Sequence, residues 1–142
     1  MSKSNTFEND FLSLVLQSIS ISSLAVASTG VNAIWASLHT ADPTDAGTQG
    51  SGEANYGSYT RIAVTRSTAG FVVSSGSASP VAAITFPEAA STTTMTLTHC
   101  AFGEASATTG GKIYWSGTIS PQIAIGAGVQ PRLTTGSSIT ED

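Results

Sequence analysis

The chain has 142 residues, a formal net charge of −4 and only 10% charged residues, against about 25% in an ordinary globular domain. That length supports one domain with a real core. The five basic residues, Lys3, Arg61, Arg66, Lys112 and Arg132, are scattered, so the sequence shows no cluster to neutralise phosphates, which argues against nucleic-acid binding.

Near the N-terminus, Asn5 and Glu8 have the spacing of a helix cap followed by an acid three residues on. Phe7, Phe11, Leu14 and Val15 then recur at the i, i+4, i+7, i+8 spacing of one apolar helix face. This predicts a helix of about three turns, widened by Leu12 and Leu16. The apolar run from Phe11 to Ala27 does not read as a secretory leader or a membrane span. Glu8 and Asp10 precede it, and Gln17, Ser18, Ser20, Ser22 and Ser23 interrupt it.

From Ser18 to Ser22 the period changes to two, which suits an extended segment. Asn32 to His39 reads as the first strand, with Ile34, Ala36 and Leu38 on one face and Trp35, Ser37 and His39 on the other. Ala41 to Asn55, rich in Asp, Pro and Gly, is longer than a usual connection. It is expected to be a contact excursion or a mobile segment. Tyr59 to Ser67 follows as a strand, with Ile62 and Val64 inward and Arg61 and Thr65 nearer solvent. Further strands are predicted at 71–73, 81–86, 94–103, 112–118, 123–125, 129–133 and 137–140, each bounded by Gly, Ser or Pro. One short helix and about eight short strands predict an all-β antiparallel sandwich or jelly roll. The N-terminal helix and an extended arm would fill residues 1–31, and the β domain 32–142.

Few residues carry chemistry. His39 and His99 are the only histidines, too few and too far apart in sequence for a zinc pattern. The plain reading puts both on strands, one ring nitrogen bonded to backbone. Asp42, Asp45, Glu53 and Asn55 would give a loop oxygen ligands for Ca²⁺, but the spacing is not that of an EF-hand. Asp42-Pro43-Thr44-Asp45 also reads as turn chemistry. Trp35, Tyr56, Tyr59, Tyr114 and Trp115 would suit a sugar-stacking platform, while Trp35 and Trp115 also suit core or interface anchors. The single cysteine, Cys100, excludes an intrachain disulfide and fits a small buried hydrophobe. The expectation is no catalytic, cofactor or metal site.

Several blocks follow one another in order: Leu38-His39-Thr40-Ala41-Asp42-Pro43-Thr44-Asp45-Ala46-Gly47, Tyr59-Thr60-Arg61-Ile62-Ala63-Val64, Ile84-Thr85-Phe86-Pro87-Glu88-Ala89, Leu97-Thr98-His99 and Gly110-Gly111-Lys112-Ile113-Tyr114-Trp115-Ser116-Gly117. In this order, over residues 34 to 141, the chain resembles a family of small tailed-phage virion proteins. Members are often labelled tail fibre proteins, and the chain also looks like a capsid cement or decoration protein of jelly-roll type. The resemblance implies a structural protein on the capsid surface, made in the host bacterial cytoplasm. It would bridge neighbouring major capsid protein subunits as a homodimer, without nucleic acid or membrane. The candidate interface residues are Phe7, Phe11, Leu14, Trp35, Asp42, Asp45, Tyr56 and Tyr59. The alternative is a tail-fibre or receptor-binding module whose loop Ala41 to Asn55 touches a cell-surface glycan.

Overall fold

A computed structural model describes residues 3–90, 92–107 and 109–141. Among them one helix, α1 (Asn5–Leu16), precedes nine strands: β1 (Ala33–His39), β2 (Ile62–Thr65), β3 (Phe71–Ser74), β4 (Ser77–Pro80), β5 (Ile84–Thr85), β6 (Met95–Gly103), β7 (Ile113–Ile125), β8 (Arg132–Leu133) and β9 (Ile139–Thr140). The sheets run β2-β1-β6-β7, β3-β4-β9 and β5-β8. The pairings β1–β6, β6–β7, β3–β4 and β4–β9 are antiparallel. The expected class, an antiparallel all-β protein consistent with a β-sandwich and carrying a short N-terminal helix, is the class observed.

The chain divides into two compact units: Met1–Ile34 with Val64–Ala83 and Leu133–Asp142, and Trp35–Ala63 with Ile84–Arg132. In the first, Ser4 rather than Asn5 caps α1, its Oγ accepting from the Phe7 N–H at 3.3 Å. The helix buries Leu12 and Leu16 completely and packs on β3 and β4. The expected apolar stripe is therefore rotated. Phe11, Leu14 and Val15 are half-buried, and Phe7 is exposed. Beneath the helix, Phe71 pairs across the ladder with Pro80, and Ala78 with Ile139, and all four are buried. Burying Leu12 and Leu16 contributes about 1.5–3 kcal/mol each.

Arg66 ties this unit together. Its Nε donates to the Val15 carbonyl and its Nη2 to that of Leu14, both at 2.6 Å. These are carbonyls of the last helical turn, which have no partner within the helix. Its Nη1 reaches the Ser28 carbonyl at 3.0 Å. One guanidinium fork thus fixes both the helix end and the segment that follows it.

Residues 18–22, expected to be extended, instead enter a tight turn. Ile21 and Ala25 exchange backbone hydrogen bonds of 2.8 and 3.0 Å, with Ser23 in the left-handed region at φ 60°. The sequence offered no signal for β4, whose Ser-Ala-Ser-Pro carries no apolar alternation. The predicted strand at 81–86 shrinks to β5, and the predicted strands at 112–118 and 123–125 merge into β7. The partner of β6 jumps there from Ile123 at Leu97 to Thr118 at His99, so residues 119–122 stand out from the ladder.

Replacing Arg66 by Ala leaves the helix-end carbonyls without their charged donor. Urea unfolding is expected to show a loss of about 1.5–3 kcal/mol; an unchanged midpoint would refute the clamp.

Candidate functional site

In the second unit, residues 40–61 leave β1 and return as a long loop whose inner side is polar and buried. Leu38 and Ala36 point to one face of β1, and Ser37 and His39 to the other. Ser37, His39, Gln49 and Arg61 are all buried, none more than 3% exposed. Arg61, expected near solvent, is a correction. Its Nε and Nη2 meet Glu53 Oε1 and Oε2 at 2.7 and 2.8 Å, a two-pronged ion pair. Its Nη1 and Nη2 also donate to the Ala105 and Gly110 carbonyls at 2.9 and 3.1 Å. Residues this polar are buried only when their hydrogen bonds are made. Among the described residues no buried side-chain nitrogen or oxygen lacks a partner.

Gln49 uses both ends of its amide. Its Nε2 donates to the Trp35 carbonyl, and its Oε1 accepts from the Ala105 N–H, each at 3.0 Å. Its own N–H donates to the Gly111 carbonyl at 2.9 Å. Gly111 has φ 94°, and a Cβ there would come 2.8 Å from Gln49 Oε1, so glycine is required twice over. The loop 40–61 and the β6–β7 hairpin are thereby one hydrogen-bonded frame.

His39 Nδ1 lies 2.9 Å from the Ser51 carbonyl, and its Nε2 lies 2.9 Å from Ser37 Oγ. A carbonyl only accepts, so Nδ1 carries the proton and the Ser37 hydroxyl donates to Nε2. The expected backbone bond of a histidine ring nitrogen is present here. A serine bonded to a histidine has the first two parts of a nucleophilic dyad, but both residues are fully buried, so no substrate reaches this pair. Burial holds His39 below its ordinary pKa; the Ser51 carbonyl and Glu53 oppose the shift, while Arg61 and His99 add to it. His99, opposite His39 in the ladder, is half-buried, and its Nδ1 lies 2.9 Å from Thr98 Oγ1.

Tyr56 and Tyr59 belong to the core of this unit, at 2% and 9% exposure. Their rings meet edge to face at 5.3 Å, and Tyr59 stacks on Phe86 at 6.2 Å. The Tyr59 hydroxyl accepts from the Leu38 N–H and donates to Glu53 Oε1, both at 3.0 Å. Burial raises its pKa, and pushes that of Tyr56 up to about 12. Neither ring is open for sugar stacking. Trp35 is half-buried, as are Tyr114 and Trp115, which meet edge to face at 6.2 Å on β7. Burial pushes the half-buried Cys100 thiol up to about 11.

The outer side of the loop is exposed. Asp42, Thr44, Asp45 and Thr48 face solvent, and the Thr44 N–H donates to Asp42 Oδ1 at 2.9 Å, which is the turn chemistry expected of Asp42-Pro43-Thr44-Asp45. Glu53, counted with Asp42 and Asp45 as an oxygen ligand, instead spends its carboxylate on Arg61. Among the described residues no three His, Cys, Asp or Glu side chains gather as metal ligands. No helix among them is long and apolar enough to cross a membrane. The interface candidates fall in both units: Asp42 and Asp45 on the exposed side of the 40–61 loop, Trp35 half-buried on β1, Tyr56 and Tyr59 in the core of that same unit, and Phe7, Phe11 and Leu14 on the helix of the other. Sequence reasoning missed Gln49, Glu53 and Arg61 as a group. The available signal was a carboxylate and a guanidinium flanking two tyrosines in a chain with few charges.

Residues 2–140 match the model of a family described as Podophage GP4 fiber I protein gp80. The chain belongs to this family. As a gp80-family protein it is a structural component of a bacteriophage virion. None of the curated proteins matches it.

Two predictions follow from this frame. Arg61→Ala and Glu53→Ala, each stranding a buried charge, should each cost about 3–5 kcal/mol. The double variant should cost clearly less than their sum in a denaturation cycle; simple additivity would mean that the pair is not coupled. The second concerns pH. Folded His39 binds its proton more weakly than the unfolded residue, whose pKa is near 6.5. Its contribution is therefore intact above that value and falls as pH drops towards the lowered folded value. Between about pH 7 and about pH 5 the melting temperature should fall, and His39→Gln should flatten that slope. An equal slope in the variant would assign the effect elsewhere.

Proposed function

We propose that this chain is a tail-fibre module that contacts the host surface through the tip of the 40–61 loop, with a cell-surface glycan as its ligand class. The observation that carries this reading is the pairing of an exposed tip with a buried frame. Asp42, Thr44, Asp45 and Thr48 offer carboxylates and hydroxyls to solvent on the same loop that Gln49, Glu53 and Arg61 tie to β1 and to the β6–β7 hairpin. Binding residues sit disproportionately on loops that a rigid scaffold positions, and a preformed loop loses little ordering entropy on binding. Carboxylates and hydroxyls are acceptors and donors for the dense hydroxyls of a glycan. The family's fibre description supports this reading better than capsid cementing.

Cryo-EM of the intact particle, at a resolution that traces strands, tests the placement. Density for this domain at the tail is expected; density repeated over the icosahedral shell would overturn the reading and restore the cement function. For the contact itself, purified chain labelled with a fluorophore should adhere to host cells. Asp42→Ala with Asp45→Ala should lower adhesion about tenfold or more without shifting the melting temperature, a loss of about 1.4 kcal/mol or more in binding. Undiminished adhesion would move the contact away from this tip.

A further inference from the structure

Among the described residues, Ser18, Ser23, Thr44, Ser58 and Ser75 hold a positive φ without being glycine. Four are serines, and Thr44 alone is β-branched. At φ 61° its backbone lies in the left-handed region, which glycine and asparagine enter easily and a β-branched residue does not. Such outliers persist only where the surroundings enforce them, and they cluster at ligand contacts.

The local backbone shows how Thr44 is held there. The curl 43–47 is closed by the Gly47 N–H, which donates to the Thr44 carbonyl at 3.1 Å, and the Thr44 N–H donates to Asp42 Oδ1 at 2.9 Å. A Cβ on Gly47 would collide with the Pro43 carbonyl oxygen, so the curl has no room to relax. Pro43 is buried, and its ring fixes its own φ. Each of these contacts is made by backbone or by a neighbour. Glycine or asparagine at position 44 would keep every one of them without strain.

The Thr44 side chain gives the fold nothing in return. It is exposed, and among the described residues its hydroxyl has no hydrogen-bond partner. The hydroxyls next along the loop are in use. Thr48 Oγ1 accepts from the Gly50 N–H at 3.3 Å, and Ser51 Oγ from the Thr48 N–H at 3.0 Å. Among the left-handed serines, Ser18, Ser58 and Ser75 each bond through their hydroxyls. Thr44 thus combines a strained backbone with a hydroxyl left for solvent or a ligand.

Its neighbours decide what that hydroxyl adds. Ionised Asp42 and Asp45 only accept hydrogen bonds, whereas a threonine hydroxyl also donates. A sugar hydroxyl is both donor and acceptor, so carboxylates satisfy only half of it. A site built to hydrogen-bond a ligand hydroxyl also rejects analogues that lack it.

We propose that Thr44 is a specificity-determining residue of this loop, its hydroxyl donating a hydrogen bond to an oxygen of the glycan while Asp42 and Asp45 accept from the glycan's hydroxyls. Its role as a ligand contact rests on the reading of the loop as the host contact; the strain does not.

The test uses the fluorophore-labelled full chain on host cells, with melting followed by circular dichroism. Thr44→Gly relieves the strain and should raise the melting temperature by about 2–6 °C, yet lower adhesion about tenfold or more. A residue with a structural role alone would not move the two readouts in opposite directions. Thr44→Val keeps the branched shape and the strain without the hydroxyl, so it should lose adhesion and gain no stability. Thr44→Ser keeps the hydroxyl and should hold adhesion within about threefold of wild type. A Thr44→Gly chain that melts no higher than wild type would overturn the strain on which the proposal stands. Adhesion lost as deeply in Thr44→Ser as in Thr44→Val would overturn the role of the hydroxyl. Adhesion undiminished in Thr44→Gly and Thr44→Val, but lowered by Asp42→Ala with Asp45→Ala, would overturn the proposal and leave the loop as the contact. A wild type that does not adhere, or adhesion that none of these variants lowers, would overturn the loop reading and this one with it.

Discussion

The buried ion pair of Arg61 and Glu53 is the constraint on which the second unit depends. A charged pair inside a protein is costly to desolvate, and it is tolerated only when every donor and acceptor finds a partner. Here the guanidinium has Glu53 on one side and two backbone carbonyls of the β6–β7 hairpin on the other. The carboxylate also receives the Tyr59 hydroxyl, so the polar interior continues into the aromatic core of Tyr56, Tyr59 and Phe86. Gln49 adds the third link, from β1 to the same hairpin. A loop that would otherwise be too long to stay in one conformation becomes part of the framework.

The first unit solves its own ordering problem by the same chemical means. Arg66 takes the helix-end carbonyls and the following segment with one planar fork. Lysine offers a point charge without that geometry and would not substitute for it. In a chain with five basic residues, two are thus committed to holding backbone, leaving few positive charges for any external partner. This use of arginine makes sense in a protein whose apolar residues are mostly small. Where large side chains are scarce, directional bonds to backbone supply the order that packing alone would not.

Much of the fold was legible because it rests on local pattern. The alternation over Asn32 to His39 and over Thr94 to Gly103 marked β1 and β6 to within a residue or so, and the apolar spacing after Ser4 marked α1. The helix face was misread because Leu12 and Leu16, two of six closely spaced apolar residues, were the ones that met the sheet; periodicity does not say which flank of a broad stripe is covered. β4 was illegible because Ser-Ala-Ser-Pro becomes a strand only through its neighbours β3 and β9. The site was half legible. Asp42 to Asp45 announced a turn, and the length of the loop announced an excursion. Arg61 was assigned outward because strand alternation gives a direction without saying what covers that face. Glu53 and the Ala105 and Gly110 carbonyls of the β6–β7 hairpin cover it, and that contact is set by tertiary structure.

Gly111 shows how this arrangement would shape the protein's history. Its φ and the proximity of Gln49 forbid a side chain, and Gln49, Glu53 and Arg61 are similarly bound to one another. Asp42, Thr44, Asp45 and Thr48 face solvent and are held only by local turn bonds such as that from the Thr44 N–H to Asp42 Oδ1. Substitutions would therefore accumulate on the outside of one loop while its inside stayed fixed. On the proposal that this tip touches the host, it could vary residue by residue without reopening the question of how the domain folds.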